Sequence, residues 1–524
     1  MGLARAHAIA LVGVQGHPVE IEADIENGMV ALLLVGLPDT ALREARDRIR
    51  SAIVNSGETW PNRRITVGLS PASLPKRGSS FDIGIAVAIL AASGAVPAAG
   101  LRGLVLMGEL GLDGRIRPVP GVLPAAAAAA AAGFSAVAVA AENAAEAALV
   151  PELRVIAAPS LRAMTAWLRN GRAPAKAGLQ VLEPGRDASA LFRASGSPGA
   201  GPPIGTKDLA DVVGQPMARR GAEICAAGGH HLMLVGPPGV GKTMLAERIP
   251  TVLPRLEPAA ALEVSAIHSV AGTLPPGRPL VTEPPFCAPH HTATRAAIVG
   301  GGSGIIRPGA ASLAHHGCLF LDEAPEFGRD VLDGLRQPLE SGEVVVARSG
   351  ITARFPARFT LILAANPCPC ASARTTGSAC SCTPMARRRY LARLSGPLLD
   401  RVDAKIEFLP VRRAELLSDR AFTEASSVVA ERVSFARERA AARLAGTPWR
   451  LNAQIPGGEL RRRFFPAPGG LAPLERAMDL GRISARGADR VIRLSWTLAD
   501  LAGTARPGAA EVGYALGLWL GMPQ

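Results

Sequence analysis

Short apolar runs separated by glycine, proline and polar residues recur along the 524-residue chain. In the first 170 residues their periodicity predicts strands at 30–35, 65–69 and 134–139 and helices at 81–92 and 124–132. The second helix is an alanine run closed by Gly133. Because alanine is the best helix former, we interpret this run as a close-packed helix rather than a disordered segment of low complexity.

A change of composition divides the chain. Residues 171–205 are rich in proline, glycine, alanine and serine, which is typical of a flexible connector. The connector separates an α/β domain at 1–170 from a second α/β segment at 206–410, and a charged, mostly helical segment follows at 411–524. Two or three domains are expected for a chain of this length.

The most specific motif opens the second segment and reads G-x-x-x-x-G-K-T. It follows a predicted buried strand at 231–235 and leads into a helix, a context that argues against a purely structural glycine turn. Glycines let backbone N–H groups close around phosphate oxygens, and the helix start adds partial positive charge. We expect Lys242 to reach the β- and γ-phosphates and Thr243 to hold Mg²⁺. The residues predicted to enclose the nucleotide are Gly236, Pro237, Pro238, Gly239, Val240, Gly241, Lys242, Thr243 and Met244.

Two further apolar runs end in residues suited to hydrolysis. The run at 318–321 precedes Asp322, expected to ligate Mg²⁺ through water, and Glu323, expected to polarise the attacking water. The run at 359–365 precedes Asn366, which can position water beside the γ-phosphate. The sequence has no Asn-Lys-x-Asp motif for reading guanine, so ATP is favoured over GTP.

The net charge of +13 and the pI of about 10.2 favour a polyanionic partner such as nucleic acid, although an arginine-rich composition alone gives the same balance. Aromatic residues make up only 4% of the chain, so base stacking is not expected to dominate binding. There is no signal-peptide pattern and no apolar run of membrane-spanning length. With seven cysteines, this composition favours a cytoplasmic protein without structural disulfides or a membrane partner.

Glycine and proline are frequent between the two nucleotide motifs, which predicts an inserted loop or hairpin. This insert holds two histidine pairs, His290-His291 and His315-His316. Neighbouring side chains on a strand point to opposite faces, so we favour hydrogen bonding or nucleic-acid contact over metal binding. A second hairpin is predicted at 342–355, with Arg348 near its turn.

Four cysteines form two C-x-C pairs separated by a loop rich in small residues. Their thiolates could hold Zn²⁺ in a tetrahedral site, but C-x-C is less diagnostic than C-x-x-C, and free thiols are the alternative. The four are Cys368, Cys370, Cys380 and Cys382.

Together these motifs resemble the magnesium-chelatase-like AAA+ ATPases, and over nearly the full length the chain resembles the competence-associated ComM/YifB family. The matching segments are the phosphate loop, 288–291, 312–315, 319–323, 366–370 and 394–403. The resemblance implies a Lon-protease-like N-terminal domain, an AAA+ core with a parallel sheet and a helical C-terminal lid. Two positions depart from the family pattern: Cys287 stands where a basic residue is usual, and Ala310 stands where a glutamate is usual. These departures leave the details of DNA contact open.

The resemblance also implies a hexameric ring that binds ATP between subunits and single-stranded or branched DNA in its pore, with helicase or branch-migration activity. It assigns Arg401 as an arginine finger that reaches the neighbouring subunit's ATP; a surface ion pair with Asp400 or Asp403 is the alternative. Arg486 best matches the second sensor arginine. It shares a helical face with Arg490 and Arg493, and this face could also be merely solvated.

The N-terminal domain resembles Lon-type proteases at two places. The segment 75–82 resembles the loop that carries the catalytic serine, and Ser80 stands at the serine position. The segment 108–123 resembles the one that carries the catalytic lysine, and here Leu123 stands at the lysine position. A Ser-Lys dyad needs an amine to accept the serine proton, and leucine has none. We therefore expect a domain without peptidase activity, used for assembly or DNA contact.

Two other functions remain open. A magnesium-chelatase motor subunit would explain the core but not the Lon-like domain. An ATP-dependent peptidase would need a base that Leu123 does not supply.

Overall fold

The structure is a computed structural model that describes residues 2–36, 39–74, 76, 78–171, 177–185, 207–275, 277–302, 306–348, 351–370, 382–411 and 417–521. The N-terminal domain is built on an eight-stranded mixed sheet in the order β10-β9-β8-β5-β1-β2-β4-β3. Its strands are β1 Gly2–Val12, β2 Gln15–Glu26, β3 Ala31–Val35, β4 Arg64–Ser70, β5 Leu104–Leu106, β8 Ala136–Ala140, β9 Arg154–Ala158 and β10 Gln180–Leu182, with β6 Glu109–Leu110 and β7 Ile116–Arg117 forming a separate hairpin. Its helices are α1 Asp39–Asn55, α2 Asp82–Ala92, α3 Val122–Ala131, α4 Ala144–Ala147 and α5 Leu161–Asn170.

A long antiparallel hairpin of β1 and β2 forms the centre of this sheet, with Gly2 paired to Ile25 and Val12 to Gln15. Along β2, Val19 and Ile21 are fully buried, while the acidic residues between the apolar ones are partly exposed. This alternation is that of a strand with one face on the core. The fully buried helix α2 covers that face. The sequence analysis did not predict this hairpin.

The predicted alanine helix is confirmed as α3, and it joins the two domains. Ala126 and Ala129 of α3 are fully buried in the same apolar cluster as Ala261, which belongs to the core helix α8. A Cβ added at Gly16 would lie 2.5 Å from Cβ of Ala128, so the β1–β2 hairpin also packs closely on α3. The small side chains allow these close approaches.

The second α/β domain, here called the core, contains a five-stranded, fully parallel sheet in the order β12-β15-β18-β11-β19. Its strands are β11 Leu232–Val235, β12 Phe286–Cys287, β15 Cys318–Leu321, β18 Thr360–Ala365 and β19 Ala404–Glu407. Two hairpins stand apart from it, β13 Gly300–Gly301 with β14 Arg307–Pro308, and β16 Glu343–Arg348 with β17 Ile351–Pro356. The helices are α6 Pro216–Gly228, α7 Lys242–Ala246, α8 Pro258–Ala271, α9 Arg295–Val299, α10 Ala310–Leu313, α11 Arg329–Gly334, α12 Arg336–Ser341, α13 Pro384–Leu391 and α14 Gly396–Leu399.

The C-terminal segment is helical, as predicted, and packs on one side of the core. The fully buried Val433 and Leu494 share an apolar cluster with Leu232 and Ala222 of the core. The helices of this lid are α15 Ser426–Arg443, α16 Gly457–Arg462, α17 Ala472–Asp479, α18 Ala485–Ala502 and α19 Ala509–Leu520.

The structure differs from the expected connector at one point. Strand β10 lies within residues 171–205 and pairs antiparallel with β9. Regular structure therefore extends beyond the boundary expected at residue 170, because three residues of suitable pattern add an edge strand to the N-terminal sheet. Among the described residues, none of the helices combines the length and apolar character needed to span a bilayer.

A buried ion pair links the lid to the core. Asp403, 1% exposed, pairs with Arg490 of α18 and accepts a 2.9 Å hydrogen bond from the backbone N–H of His231. Burial alone would raise the pKa of the Asp403 carboxyl, but the Arg490 guanidinium and the adjacent histidines hold that pKa well below its usual range. Arg490 also donates a 3.0 Å bond to the carbonyl of Arg401.

We expect Asp403→Asn to lower the free energy of unfolding by about 3 kcal/mol, because it leaves the Arg490 guanidinium largely buried without a counter-ion. The folded-state pKa is depressed, so the stabilisation is complete above about pH 4 and is lost as pH falls below it. Denaturant titrations across this range should therefore show the difference between wild type and variant shrinking in acid. Asp479→Asn, at an exposed helix end, is the control; an equal effect there would contradict the assignment.

Candidate functional site

The predicted phosphate loop connects β11 to α7. Gly239 and Gly241 have φ values of 79° and 96°, in the left-handed region, and an added Cβ at either would meet no atom within 4 Å. Glycine is thus required there by backbone conformation rather than by crowding. At Gly236 the reason is space, since a Cβ would lie 2.6 Å from Cβ of Phe408.

Lys242 begins α7 and turns its amine back into the loop. Its Nζ donates to the carbonyls of Gly236 and Pro237, at 2.7 and 2.8 Å, and to Oδ1 of Asn366 at 3.1 Å. Burial lowers the pKa of the Lys242 amine, and the nearby Asp322 and Glu323 carboxylates partly oppose that effect. The sheet order explains the meeting with Asn366, because β11 and β18 are parallel neighbours and end at the same edge.

Asp322 and Thr243 also meet at this edge. The Thr243 hydroxyl donates a 2.7 Å hydrogen bond to Oδ2 of Asp322. The other carboxylate oxygen, Oδ1, accepts a 2.9 Å hydrogen bond from the backbone N–H of Glu323. A hydroxyl and a carboxylate are hard oxygen donors of the kind Mg²⁺ prefers. The residues present therefore fit the predicted metal.

Glu323 adopts a conformation that few residues tolerate. Its φ of 50° and ψ of 43° are left-handed, which costs of order 1–3 kcal/mol for a residue with a side chain. Its carboxylate is 49% exposed and lies 3.4 Å from Nδ1 of His291. The backbone turn at the end of β15 thus presents Glu323 as an accessible carboxylate beside the Asp322–Thr243 pair.

The adjacent histidines lie side by side, and the prediction that their side chains diverge was wrong. His290 and His291 lie in a turn rather than on a strand, and their ring centroids are 4.1 Å apart; the same separation holds for His315 and His316. The second pair converges on Glu263, at 3.1 and 3.3 Å, and holds the pKa of that carboxyl well below its usual range.

Metal binding is still disfavoured at the second pair. Nδ1 of His315 accepts a 2.9 Å bond from the backbone N–H of Arg358. In neutral His315, Nε2 therefore carries the proton and faces Glu263 as a donor.

Arg401 and Arg486 lie away from the phosphate loop of their own chain. Strand β19 runs parallel to β11, with Ala404 beside Leu232 and Glu407 beside Val235. Arg401 lies just before β19, whereas the phosphate loop lies just after β11. Arg401 and the phosphate loop are therefore at opposite ends of the parallel strands, and their backbones are at least about 10 Å apart along the strand direction.

The two arginines are close to each other instead. The Arg401 guanidinium is 12% exposed and pairs with Glu340, while Arg486 is 84% exposed and lies 3.8 Å from Asp400. Burial lowers the pKa of Arg401, and the charges of Arg336, Arg490 and Arg486 add to that effect. Arg401 thus forms an ion pair, but with Glu340 rather than with Asp400 or Asp403, the two carboxylates of the alternative.

Three of the four candidate zinc ligands converge. The ligand atoms of Cys368, Cys370 and Cys382 all lie within 4.8 Å of one another, and Cys380 lies outside the described residues. In the N-terminal domain, Ser80 lines a cavity of about 220 Å³, and Leu123 is buried with its backbone N–H 2.9 Å from Oε1 of Glu146.

Comparison with known proteins gives consistent family matches along the chain. The family described as "Magnesium chelatase, subunit ChlI" matches residues 208–416. The family described as "Subunit ChlI of Mg-chelatase" matches residues 21–143, and the one described as "Magnesium chelatase, subunit ChlI C-terminal" matches residues 423–518. An uncharacterized protein of Mycobacterium tuberculosis is 50% identical over 98% of both chains. YifB of Salmonella typhimurium is 43% identical over 96% of this chain and 94% of its own. Competence protein ComM of Haemophilus influenzae is 39% identical over 99% of this chain and 97% of its own.

The chain belongs to the ComM/YifB family of magnesium-chelatase-like AAA+ proteins. Membership in this AAA+ family indicates an ATPase that uses ATP with Mg²⁺. The loop, the buried lysine and the oxygen donors of Thr243 and Asp322 fit that chemistry.

Sequence reasoning missed Tyr390, and it missed the contacts that His291 and Arg490 make around the ComM/YifB site. Tyr390 is buried and hydrogen-bonded to the backbone of Asn366, and burial raises its pKa to about 12. His291 lies beside Glu323, and Arg490 holds the backbone of Arg401. The only signal in the sequence was the four-residue spacing of Arg486 and Arg490, which places both on one helical face. The contacts of Tyr390 and His291 join residues far apart in sequence.

We expect Lys242→Ala to lose ATP binding, because the triphosphate would lose its buried cationic partner. Glu323→Gln should bind ATP but turn it over about 100-fold or more slowly, because only water activation is removed. A fluorescent nucleotide titration and a phosphate-release assay separate the two effects. The control is Glu326→Gln, an exposed glutamate paired with Arg393 at 2.7 Å, which should keep wild-type turnover. Wild-type turnover by Glu323→Gln would refute its role.

Proposed function

We propose that this chain hydrolyses ATP as one subunit of a homo-hexameric ring, which translocates along single-stranded or branched DNA and promotes branch migration in DNA uptake and recombination. The observation that carries the proposal is the separation of Arg401 from the phosphate loop of the same chain by the length of the parallel sheet. A guanidinium acts on a transferring phosphoryl group only in contact with it. Arg401 therefore serves ATP bound by an adjacent copy.

The surroundings of Arg401 support a site between subunits. Arg336, Arg486 and Arg490 lie close enough to lower its pKa, so this edge presents concentrated positive charge. Such a cluster favours a triphosphate approaching from outside the chain. In this arrangement Arg486 acts beside Arg401, Asn366 positions the attacking water, and the pairing of Arg401 with Glu340 is exchanged for phosphate.

DNA is the proposed partner on two grounds. The net charge of +13 suits a polyanion, and the relative from Haemophilus influenzae is named a competence protein. The hairpin of β16 and β17 stands apart from the core sheet, and the exposed Arg348 lies at the end of β16. Nη1 of Arg348 donates a 3.1 Å hydrogen bond to the carbonyl of Gly302. This contact joins the hairpin to the insert between the two nucleotide motifs.

The N-terminal domain is proposed to be a Lon-like fold without peptidase activity. Leu123 occupies the lysine position, and the cavity beside Ser80 is closed partly by core residues, including Val270 and Ala353. The space beside Ser80 is therefore shared with the core rather than formed by the N-terminal domain alone. The domain is therefore better suited to assembly or DNA contact.

A magnesium-chelatase motor that remodels a protein partner is the second candidate, because the matching family descriptions name that enzyme. Coverage favours the first proposal. The magnesium-chelatase 38 kDa subunit of Acidiphilium rubrum aligns with only 12% of this chain, whereas ComM aligns with 99%.

We expect Arg401→Ala to bind ATP but not hydrolyse it, because the finger acts on the neighbouring subunit. Mixing it with Lys242→Ala should restore part of the activity through interfaces that combine an intact phosphate loop with an intact arginine. The measurement is ATP turnover across mixing ratios, with subunit exchange verified by fluorescence. Absence of rescue despite exchange would argue against a shared site.

Arg348→Ala should keep basal ATP hydrolysis but lose unwinding of branched DNA, because a phosphate contact at the hairpin tip drives strand movement. The dependence of DNA affinity on salt should fall by roughly one unit per engaged subunit. Strand displacement and ATPase assays on the same preparation test this. The matched control is Arg354→Ala, at the hairpin base and paired with Glu343 at 2.6 Å. Normal unwinding by Arg348→Ala would place the driving contact elsewhere.

A further inference from the structure

We propose that Cys368, Cys370 and Cys382 bind a structural Zn²⁺ ion that fixes Asn366 in place beside the phosphate loop. The three residues come from two segments, one directly after β18 and one directly before α13. Their sulfur ligand atoms lie within 4.8 Å of one another, and the Sγ atoms of Cys368 and Cys370 are 3.2 Å apart.

The spacing suits a thiolate metal centre. Zn–S bonds of about 2.3 Å in a tetrahedral site hold sulfurs roughly 3.8 Å apart, so these thiols need only small shifts to ligate one ion. Thiolates favour Zn²⁺ over the hard cations that the oxygen donors of Asp322 and Thr243 suit. Cys380 lies outside the described residues and carries no part of this inference.

The surroundings of the three thiols fit a structural role. Cys368 is 4% exposed, Cys382 is half-buried and Cys370 is exposed, so the cluster lies at the surface with one side against the core. The other described cysteines, Cys225, Cys287 and Cys318, are separate from this cluster, and burial raises the pKa of each of those thiols.

A metal at this position would link the segment that follows β18, which carries Asn366, to the segment that precedes α13. Asn366 lies two residues before Cys368 and accepts the hydrogen bond from Lys242. Cys382 lies two residues before α13, which carries the Tyr390 that is hydrogen-bonded to the backbone of Asn366. Zinc would therefore tie together the two segments that position Asn366: the one to which Asn366 belongs, and the one that leads to Tyr390. This consequence for turnover rests on the proposed ATPase, whereas zinc binding itself does not.

The test begins with the full-length protein, expressed with zinc in the medium and purified without chelators. Elemental analysis should give about one zinc per chain, the content expected of a single structural site. Cys368→Ser and Cys382→Ser should each lose most of the metal, while Cys287→Ser, a half-buried cysteine outside the cluster, should keep it. The absence of zinc from the wild type, iron or copper in its place, or full zinc content in both cluster variants would overturn the proposal.

A second measurement needs no variant and so remains valid if the substitutions prevent folding. Chelator-treated wild type is titrated with Co²⁺, and thiolate coordination should produce near-ultraviolet charge-transfer absorption that Zn²⁺ then removes. Failure to develop this band overturns the proposal. ATP turnover measured alongside should fall on zinc removal while ATP binding persists. A zinc-loaded protein without ATPase activity would refute the proposed function alone, and an active protein without zinc would refute the metal site alone.

Discussion

The buried ammonium of Lys242 is the interaction on which the nucleotide site depends. A desolvated cation is costly unless acceptors surround it, and here two loop carbonyls and the Asn366 side chain supply them. These acceptors come from the ends of two neighbouring parallel strands, so the loop and Asn366 are held relative to each other without bound nucleotide. The Thr243–Asp322 hydrogen bond attaches the third strand to the same point. A triphosphate with Mg²⁺ would replace these internal partners with its own oxygens, which keeps the rearrangement on binding small.

In the proposed ring, the polarity of the same sheet would make each chain depend on a neighbour for catalysis. Parallel strands gather the phosphate loop, Asp322 and Asn366 at their carboxyl edge, and they leave Arg401 at the amino edge. The lid controls that second edge, since Arg490 holds both Asp403 and the carbonyl of Arg401. A shift of the lid would therefore move the arginine that serves a neighbour. This connection gives a physical path between subunits in the proposed ring.

Much of the site could be read from sequence because its parts are local. The G-x-x-x-x-G-K-T loop, the strand before Asp322 and the strand before Asn366 are contiguous patterns, and the structure confirms those strands, while the catalytic roles remain predictions. The β1–β2 hairpin was missed although Val19, Ile21, Ala23 and Ile25 alternate strictly with acidic residues, the signal that should have identified it. The left-handed Glu323 and the histidine pairs could not be derived, because turn geometry there depends on tertiary packing. The convergence of Cys368 with Cys382 likewise depends on how β18 and α13 are placed.

The alanine helix α3 has a consequence for how genes of this kind can change. In α3 each added or deleted alanine would rotate the following residues by about 100° around the helix axis. The face that contacts Gly16 and Ala261 would then point elsewhere, and larger side chains would enter a space that admits only methyl groups. The packing of α3 therefore constrains the length of this repetitive stretch as strictly as its composition.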